Sequence, residues 1–600
     1  MRAAMRLKVQ LLVGAVVAST AIAVPTAGSA VTPVVIHSLQ AVPSSVPYTG
    51  GNVKLTGVVS GASRCTFSSS PHLVGLPVTV SCKGGRAVRS VHLPANPTQL
   101  AHSYAVTLVA SGAQRRARTV HVVVRGAPVP ALGKVRQIAP DLLGYCALFT
   151  SGRVECWGYG LSGELGNGLY TGGGVGVAVK GVGGSGLLSG VSKLYSDGQG
   201  MCAVLTSHTV DCWGYGGEGE LGDGKTAESN VPVGVKSVGG TGLLTGVASL
   251  AAYAGTNGRG GYCALLLSGG VDCWGFGPNG QLGNGVFYTT GIEGSDVPVA
   301  VKAVGGVGTL AGVAHLAGLG SNGLAAYCAL LISGGVDCWG YGQQGELGDG
   351  SLYITGNYGA SVPVAVKAVG GTGTLTGVAS VVDGTRAFCA VLLAGGVVCW
   401  GDNVSSQLGN GSPGGTFAIP ESVVGVGGTG TLTSVSAVAT EGAEGYCALL
   451  VGGGVDCWGN GGLGDGVGDQ SDVPKIVLGV GGTGTLSGVS SLAATSYINN
   501  NTYCALRTTT GVDCWGDGSW GALGDGVLSG DALSPGVVVG VGGTSTLAGI
   551  TSVTGSSGDD GFCAITAAGG AVCWGYGLNG ELGNGQGSNS GWPVAVVFHT

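Results

Sequence analysis

Eighteen cysteines are the side chains of this chain best equipped for chemistry. Sixteen form eight pairs of one spacing, Cys-x9-Cys: Cys146 and Cys156, Cys202 and Cys212, Cys263 and Cys273, Cys328 and Cys338, Cys389 and Cys399, Cys447 and Cys457, Cys504 and Cys514, and Cys563 and Cys573. Paired thiols bind metal, exchange electrons or close disulfides. A ten-residue separation is not a zinc spacing, and no histidine sits beside the pairs. Redox pairs favour Cys-x-x-Cys. Structural disulfides remain. Ser-Gly-Gly or Thr-Ser-Gly between the cysteines signals a hairpin turn. A hairpin centred on Ser268 sets Cys263 opposite Cys273, at about 4.5–5.5 Å between Cα atoms, within disulfide reach. Each bridge closes a short loop and is expected to stabilise by somewhat under about 3 kcal/mol. A ninth pair, Cys65 and Cys82, is seventeen residues apart and predicts a local bridge. Residues 1–30 imply export, and export makes oxidation of these pairs expected.

Catalytic groups do not converge. His208, His315 and His599 are the only histidines after residue 127, and no Glu-His, Ser-His or Cys-His arrangement repeats. Asp559 and Asp560 lie in a loop and are read as solvated. The tryptophans of the Cys-Trp-Gly motif, Trp157, Trp213, Trp274, Trp339, Trp400, Trp458, Trp515 and Trp574, recur so regularly that packing is their expected role. The Asn or Asp of the Leu-Gly-Asn/Asp-Gly motif, from Asn167 to Asn584, is read as a turn former. The connector VGGTGTL lacks the Lys-Ser or Lys-Thr ending of a phosphate loop. No catalytic residue, metal ligand or cofactor site is nominated. Aromatics in the loops of variable length, Tyr170, Phe287, Tyr288, Tyr353, Tyr358 and Phe417, are the candidate partner-binding residues. Local loop packing is the competing reading.

The elements behind these motifs repeat eight times. YCALFTSGRVECWG begins at Tyr145 and returns as YCALLLSGGVDCWG from Tyr262, YCALLISGGVDCWG from Tyr327 and YCALLVGGGVDCWG from Tyr446. Looser copies hold Cys202, Cys389, Cys504 and Cys563. Successive first cysteines are 56, 61, 65, 61, 58, 57 and 59 residues apart. Each copy has four short Val- and Leu-rich pieces bounded by Gly, Asn, Asp and Pro, the signature of strands. Four strands per unit of about sixty residues predict the blades of a propeller. Blades buried on both faces explain near-continuous apolar strands. The sixth copy is shortened: Trp458 to Leu463 is five positions, where Trp157 to Leu165 is eight.

The pattern CALxxxGxVxCWGxxxxGELGxG resembles the repeat of the regulator of chromosome condensation family, in a cysteine-bearing bacterial version. The resemblance covers residues 134–600. It implies an all-β propeller; its best-known members have seven blades, whereas eight repeats here favour eight, with seven as the alternative. Relatives of this kind include a nucleotide-exchange factor for a small GTPase and an inhibitor of β-lactamases. Export separates this chain from such GTPases.

Residues 1–30 read as a signal peptide: Arg2, Arg6 and Lys8 precede an apolar run from Leu11 to Val24. An uncleaved anchor is the other reading. Residues 31–127 alternate like a β-sandwich and resemble a bacterial immunoglobulin-like module, but contain no Trp. Residues 128–133, with Pro128 and Pro130, read as a stiff linker. Residues 31–127 carry nine Lys or Arg and no acid, a formal +9, while residues 128–600 carry a formal −18.

Gly accounts for 126 residues and charged types for 9%, which argues for many tight turns and against long helices. The function expected is a secreted, non-enzymatic, monomeric scaffold that binds a protein or a cell-surface polymer. No nucleic-acid partner, cofactor or later membrane span is expected. Two alternatives differ in class. An extracellular polysaccharide hydrolase or lyase requires converging carboxylates in the propeller funnel. A wall-associated module would be held on anionic polymer by the basic domain.

Overall fold

In the third repeat the cysteine hairpin consists of strands Gly261–Leu266 and Val271–Phe276, with Cys263 directly opposite Cys273. Side chains alternate across a strand. Tyr262 and Ala264 therefore face one way, and Cys263 and Leu265 the other. Both faces are buried, so the positions are apolar or small, with Asp272 the one charged exception. Val247–Tyr253 and Gly294–Ala300 flank the hairpin and complete a four-stranded antiparallel sheet in sequence order. The computed structural model describes residues 32–47, 49–96, 101–125, 132–253, 255, 259–321, 323–384, 386–440, 444–468, 470–495 and 501–599. Among these, the repeats form eight four-stranded sheets of the same order. The expected signal segment and most of the expected linker lie outside the described residues.

Successive sheets stack by complementary faces. Cys263, Leu265 and Cys273 pack against Tyr327, Ala329 and Trp339 of the next sheet. The same contact closes the series: Cys563, Ile565 and Cys573 of the last sheet pack on Tyr145, Ala147 and Trp157 of the first. First strands of adjacent sheets, such as Val247–Tyr253 and Val313–Ser321, lie side by side, leaving the fourth strands outermost. This all-β arrangement is consistent with a β-propeller. No described helix is long and apolar enough to cross a membrane.

The chain divides into two compact units, Met1–Val129 and Pro130–Thr600. The first holds a three-stranded sheet (Val35–Val42, Gly51–Ser60, Arg86–Leu93) and a five-stranded one built around His102–Gly112. Val53 and Leu55 from one sheet share a core with Phe67 and Leu108 from the other. The sheets approach so closely at Gly57 that a Cβ there would lie 2.3 Å from Leu108 Cδ2.

Candidate functional site

The repeated reactive residues hold sheets together. Nine cysteine pairs stand at disulfide distance. In the hairpins Cys146 faces Cys156, Cys202 faces Cys212, Cys263 faces Cys273 and Cys328 faces Cys338. Cys389 likewise faces Cys399, Cys447 faces Cys457, Cys504 faces Cys514 and Cys563 faces Cys573. The paired Cα atoms in these eight are 4.0–4.1 Å apart, and those of Cys65 and Cys82 are 5.9 Å apart. The hairpin distance corrects the expected one: it is shorter, and belongs to the close, non-hydrogen-bonded class of cross-strand pair.

Seven of the eight tryptophans stack on the aromatic opposite them, and Trp213 lies opposite Met201. Tyr262 and Trp274, for example, have ring centroids 5.8 Å apart. The indole N–H then reaches into the preceding repeat. Trp213 Nε1 donates to the Glu164 carbonyl, Trp274 Nε1 to that of Glu220 and Trp339 Nε1 to that of Gln281, at 2.8–2.9 Å. Trp400, Trp458 and Trp574 donate likewise to Glu346, Gln407 and Ala522. Trp515 is the exception, because its buried Nε1 has no partner.

The Glu or Gln of the Gly-Glu-Leu-Gly motif also caps its own turn. Its side-chain oxygen accepts the N–H two residues earlier, as in Ser162 to Glu164 (2.9 Å), Asn279 to Gln281 (2.8 Å) and Gln344 to Glu346 (2.8 Å). Gln serves as well as Glu, so the position needs an acceptor and not a charge. Burial pushes the acids up, Glu346 to about 8. The following Asn or Asp forms an Asx turn in all eight repeats, from Leu169 N–H on Asn167 Oδ1 to Gln586 N–H on Asn584 Oδ1.

One functional expectation is corrected. Asp559 and Asp560 are not solvated: Asp560 is buried and Asp559 half-buried. The backbone carbonyl of Asp560 accepts the Tyr576 N–H, and the loop lies against the first repeat, where a Cβ on Gly558 would be 2.2 Å from the Leu142 carbonyl oxygen. Desolvation, reinforced by Glu581 and Asp560, pushes the Asp559 carboxyl up to about 8. Composition showed charged loop residues, but the close packing of their loop on Leu142 takes them out of solvent.

The six loop aromatics divide. Tyr170 and Tyr358 are exposed, at 42% and 44%. Tyr288 and Tyr353 are half-buried against the sheets: Asn284 Nδ2 donates to Tyr288 Oη, and Tyr353 Oη donates to Asp349 Oδ2, each at 2.9 Å. Phe417 packs similarly, and Phe287 is half-buried. Sequence reasoning missed exposed aliphatic neighbours: Leu169 beside Tyr170, and Leu352 and Ile354 near Tyr358. Their signal was aliphatic type inside Gly-rich loops of unequal length. No group of three or more His, Cys, Asp or Glu among the described residues is placed to hold a metal.

The chain is 28% identical over 350 residues to the ultraviolet-B receptor UVR8 of Arabidopsis thaliana, covering 56% of this chain and 68% of that protein. It is 27% identical over 369 residues to the E3 ubiquitin-protein ligase HERC2 of Homo sapiens, covering 59% of this chain but 7% of that much longer protein. Among solved structures it resembles yeast RCC1 (Prp20) bound to Kap60, at 19% identity and a TM-score of 0.44, over 64% of this chain and 83% of that one. Human WBSCR16 also resembles it, at 20% identity and a TM-score of 0.46, over 68% of this chain and 96% of that one. No protein-family model matches. Within the eight repeats, the motif residues bond sheet to sheet, and the loops of unequal length add a few bonds of their own: Asn279 Nδ2 donates to the Asn357 carbonyl at 2.8 Å, and the Glu293 N–H to Glu218 Oε2 at 3.0 Å.

Proposed function

We propose that the chain is an exported, non-enzymatic scaffold: an eight-bladed RCC1-like propeller, preceded by an immunoglobulin-like module, that binds a protein through its non-repeating loops. The observation that carries this reading is the exposure of Leu352, Ile354 and Tyr358 in the long loop between Val336–Tyr341 and Gly359–Ala365. Exposed apolar side chains that serve no sheet contact are the usual anchors of protein interfaces. Nine cysteine pairs at disulfide distance support an oxidising location. The test is capture from the envelope and medium of the source organism, with the full chain as bait beside an L352S/I354S/Y358S variant. A protein retained by the native chain and lost by the variant supports the reading. Recovery of no protein, with turnover of a small substrate, overturns it.

A second reading concerns the basic unit. Register places Arg64 and Arg115 on either side of Ser111, and both are exposed, as are Arg116 and Arg118. Such a stripe suits an anionic wall polymer. Release from cell walls by high salt supports this, and retention unaffected by salt counts against it.

A further inference from the structure

The shortened sixth repeat leaves a hole. Where the first repeat runs eight residues from Trp to Leu, this one runs five, and Gly462 stands where the first repeat has Glu164. Two things are lost together: the side chain that caps the turn, and the carbonyl placed to receive the indole of the seventh repeat. Trp515 is fully buried, yet its Nε1 has no hydrogen-bond partner. A Cβ placed on Gly464 would lie 2.9 Å from that nitrogen, and Gly464 lines a cavity of about 150 Å³. Asn501 also lines it and is 6% exposed. Its Nδ2 donates to the Asn460 carbonyl, while its Oδ1 is unpartnered. The remaining wall includes Asp517, Asp531 and Leu533.

We propose that this gap is a binding site for one neutral, polyhydroxylated ring: a single pyranose or cyclic polyol, free or at the end of a glycan. A buried donor and a buried acceptor stand without partners. A carbonyl only accepts and an ammonium only donates, but a hydroxyl accepts from Trp515 Nε1–H and donates to Asn501 Oδ1. Asp517 and Asp531 add acceptors for further hydroxyls and disfavour anionic ligands. Leu463 and Leu533 offer apolar surface to the C–H face of a ring. The volume matches that of an engineered cavity of about 150 Å³, which admits a six-membered ring.

The full chain, carrying 15N-labelled tryptophan, is titrated with glucose, galactose, mannose and myo-inositol. Glucose 6-phosphate and gluconate serve as charged controls. At least one neutral probe is expected to move one indole N–H resonance saturably, and that resonance should be missing from W515F. Asn501→Leu, or Asp531→Leu should the first variant fail to fold, is expected to weaken binding at least tenfold. An array of immobilised glycans distinguishes a terminal sugar from a free one. No shift with any neutral probe means that water alone fills the gap, and it overturns the proposal. So does equal binding of the charged controls, or undiminished binding in the folded variant.

Discussion

The indole Nε1 of Trp157 donates to the carbonyl of Glu581 at 2.7 Å, across 424 residues of sequence. It is the same bond that joins Trp213 to Glu164 within the series, so the seam between last and first sheets is built like its neighbours. The seam has one addition. Phe598 packs edge-on against Phe149 and Trp157, with ring centroids 5.0 and 5.6 Å away, and the His599 N–H donates to Glu155 Oε2 at 3.0 Å.

Phe598→Ala should therefore weaken the seam. The ring is half-buried, so a loss of about 2 kcal/mol is expected, below the range for a fully buried Phe. Denaturant unfolding measures it, and an unchanged midpoint would show that the tail contributes nothing to closure.

Trp274 and Trp515 separate packing from hydrogen bonding. Both are buried and stack on a tyrosine. Trp274→Phe leaves the Glu220 carbonyl without its donor, whereas Trp515→Phe strands nothing. The first substitution should cost about 1–3 kcal/mol more than the second. Paired denaturation curves check this, and equal losses would contradict it.

Acid should stabilise the fold. Asp211, Asp337 and Asp456 lie buried in their sheets, and desolvation pushes each carboxyl from 3.8 up to about 6. The folded chain keeps protons that the unfolded chain has released. Their contribution is intact below the unfolded pKa and is lost as pH rises through the folded one. Asp197, pushed up to about 7, and Glu346, to about 8, extend the window upward. The thermal midpoint should fall between pH 4 and pH 8. The triple variant D211N/D337N/D456N should flatten that slope and melt higher than the native chain at pH 7. A midpoint that rises with pH would sink the argument.

The hairpin bridges should matter locally. Replacing Cys263 and Cys273 together by Ala is expected to cost somewhat under about 3 kcal/mol from loop entropy. Peptide mapping without reduction should find nine within-chain bridges and no free thiol. Alkylation of any cysteine in the folded, exported chain would contradict the pairing.

Much of this was legible because the information is local and repeated. The turn between Cys263 and Cys273 lies inside one short segment, and the Asx turns at Asn167 and Asp223 need only two residues each. The burial of Asp560 was not legible, because its loop packs on Leu142 of the first repeat, far away in sequence. The division of loop aromatics was hidden for a similar reason. Tyr353 is held by Asp349, while Tyr358 stays exposed.

Taken alone, the amino-acid order determined the repeat, the strand pieces and the cysteine facing each cysteine, since short-range stereochemistry suffices for all three. It also showed the three missing residues after Trp458. Only the tertiary structure decided what that deletion removes. The acceptor for each indole belongs to the preceding repeat, so the orphaned nitrogen of Trp515 and the hollow beside Gly464 exist only once two sheets have stacked.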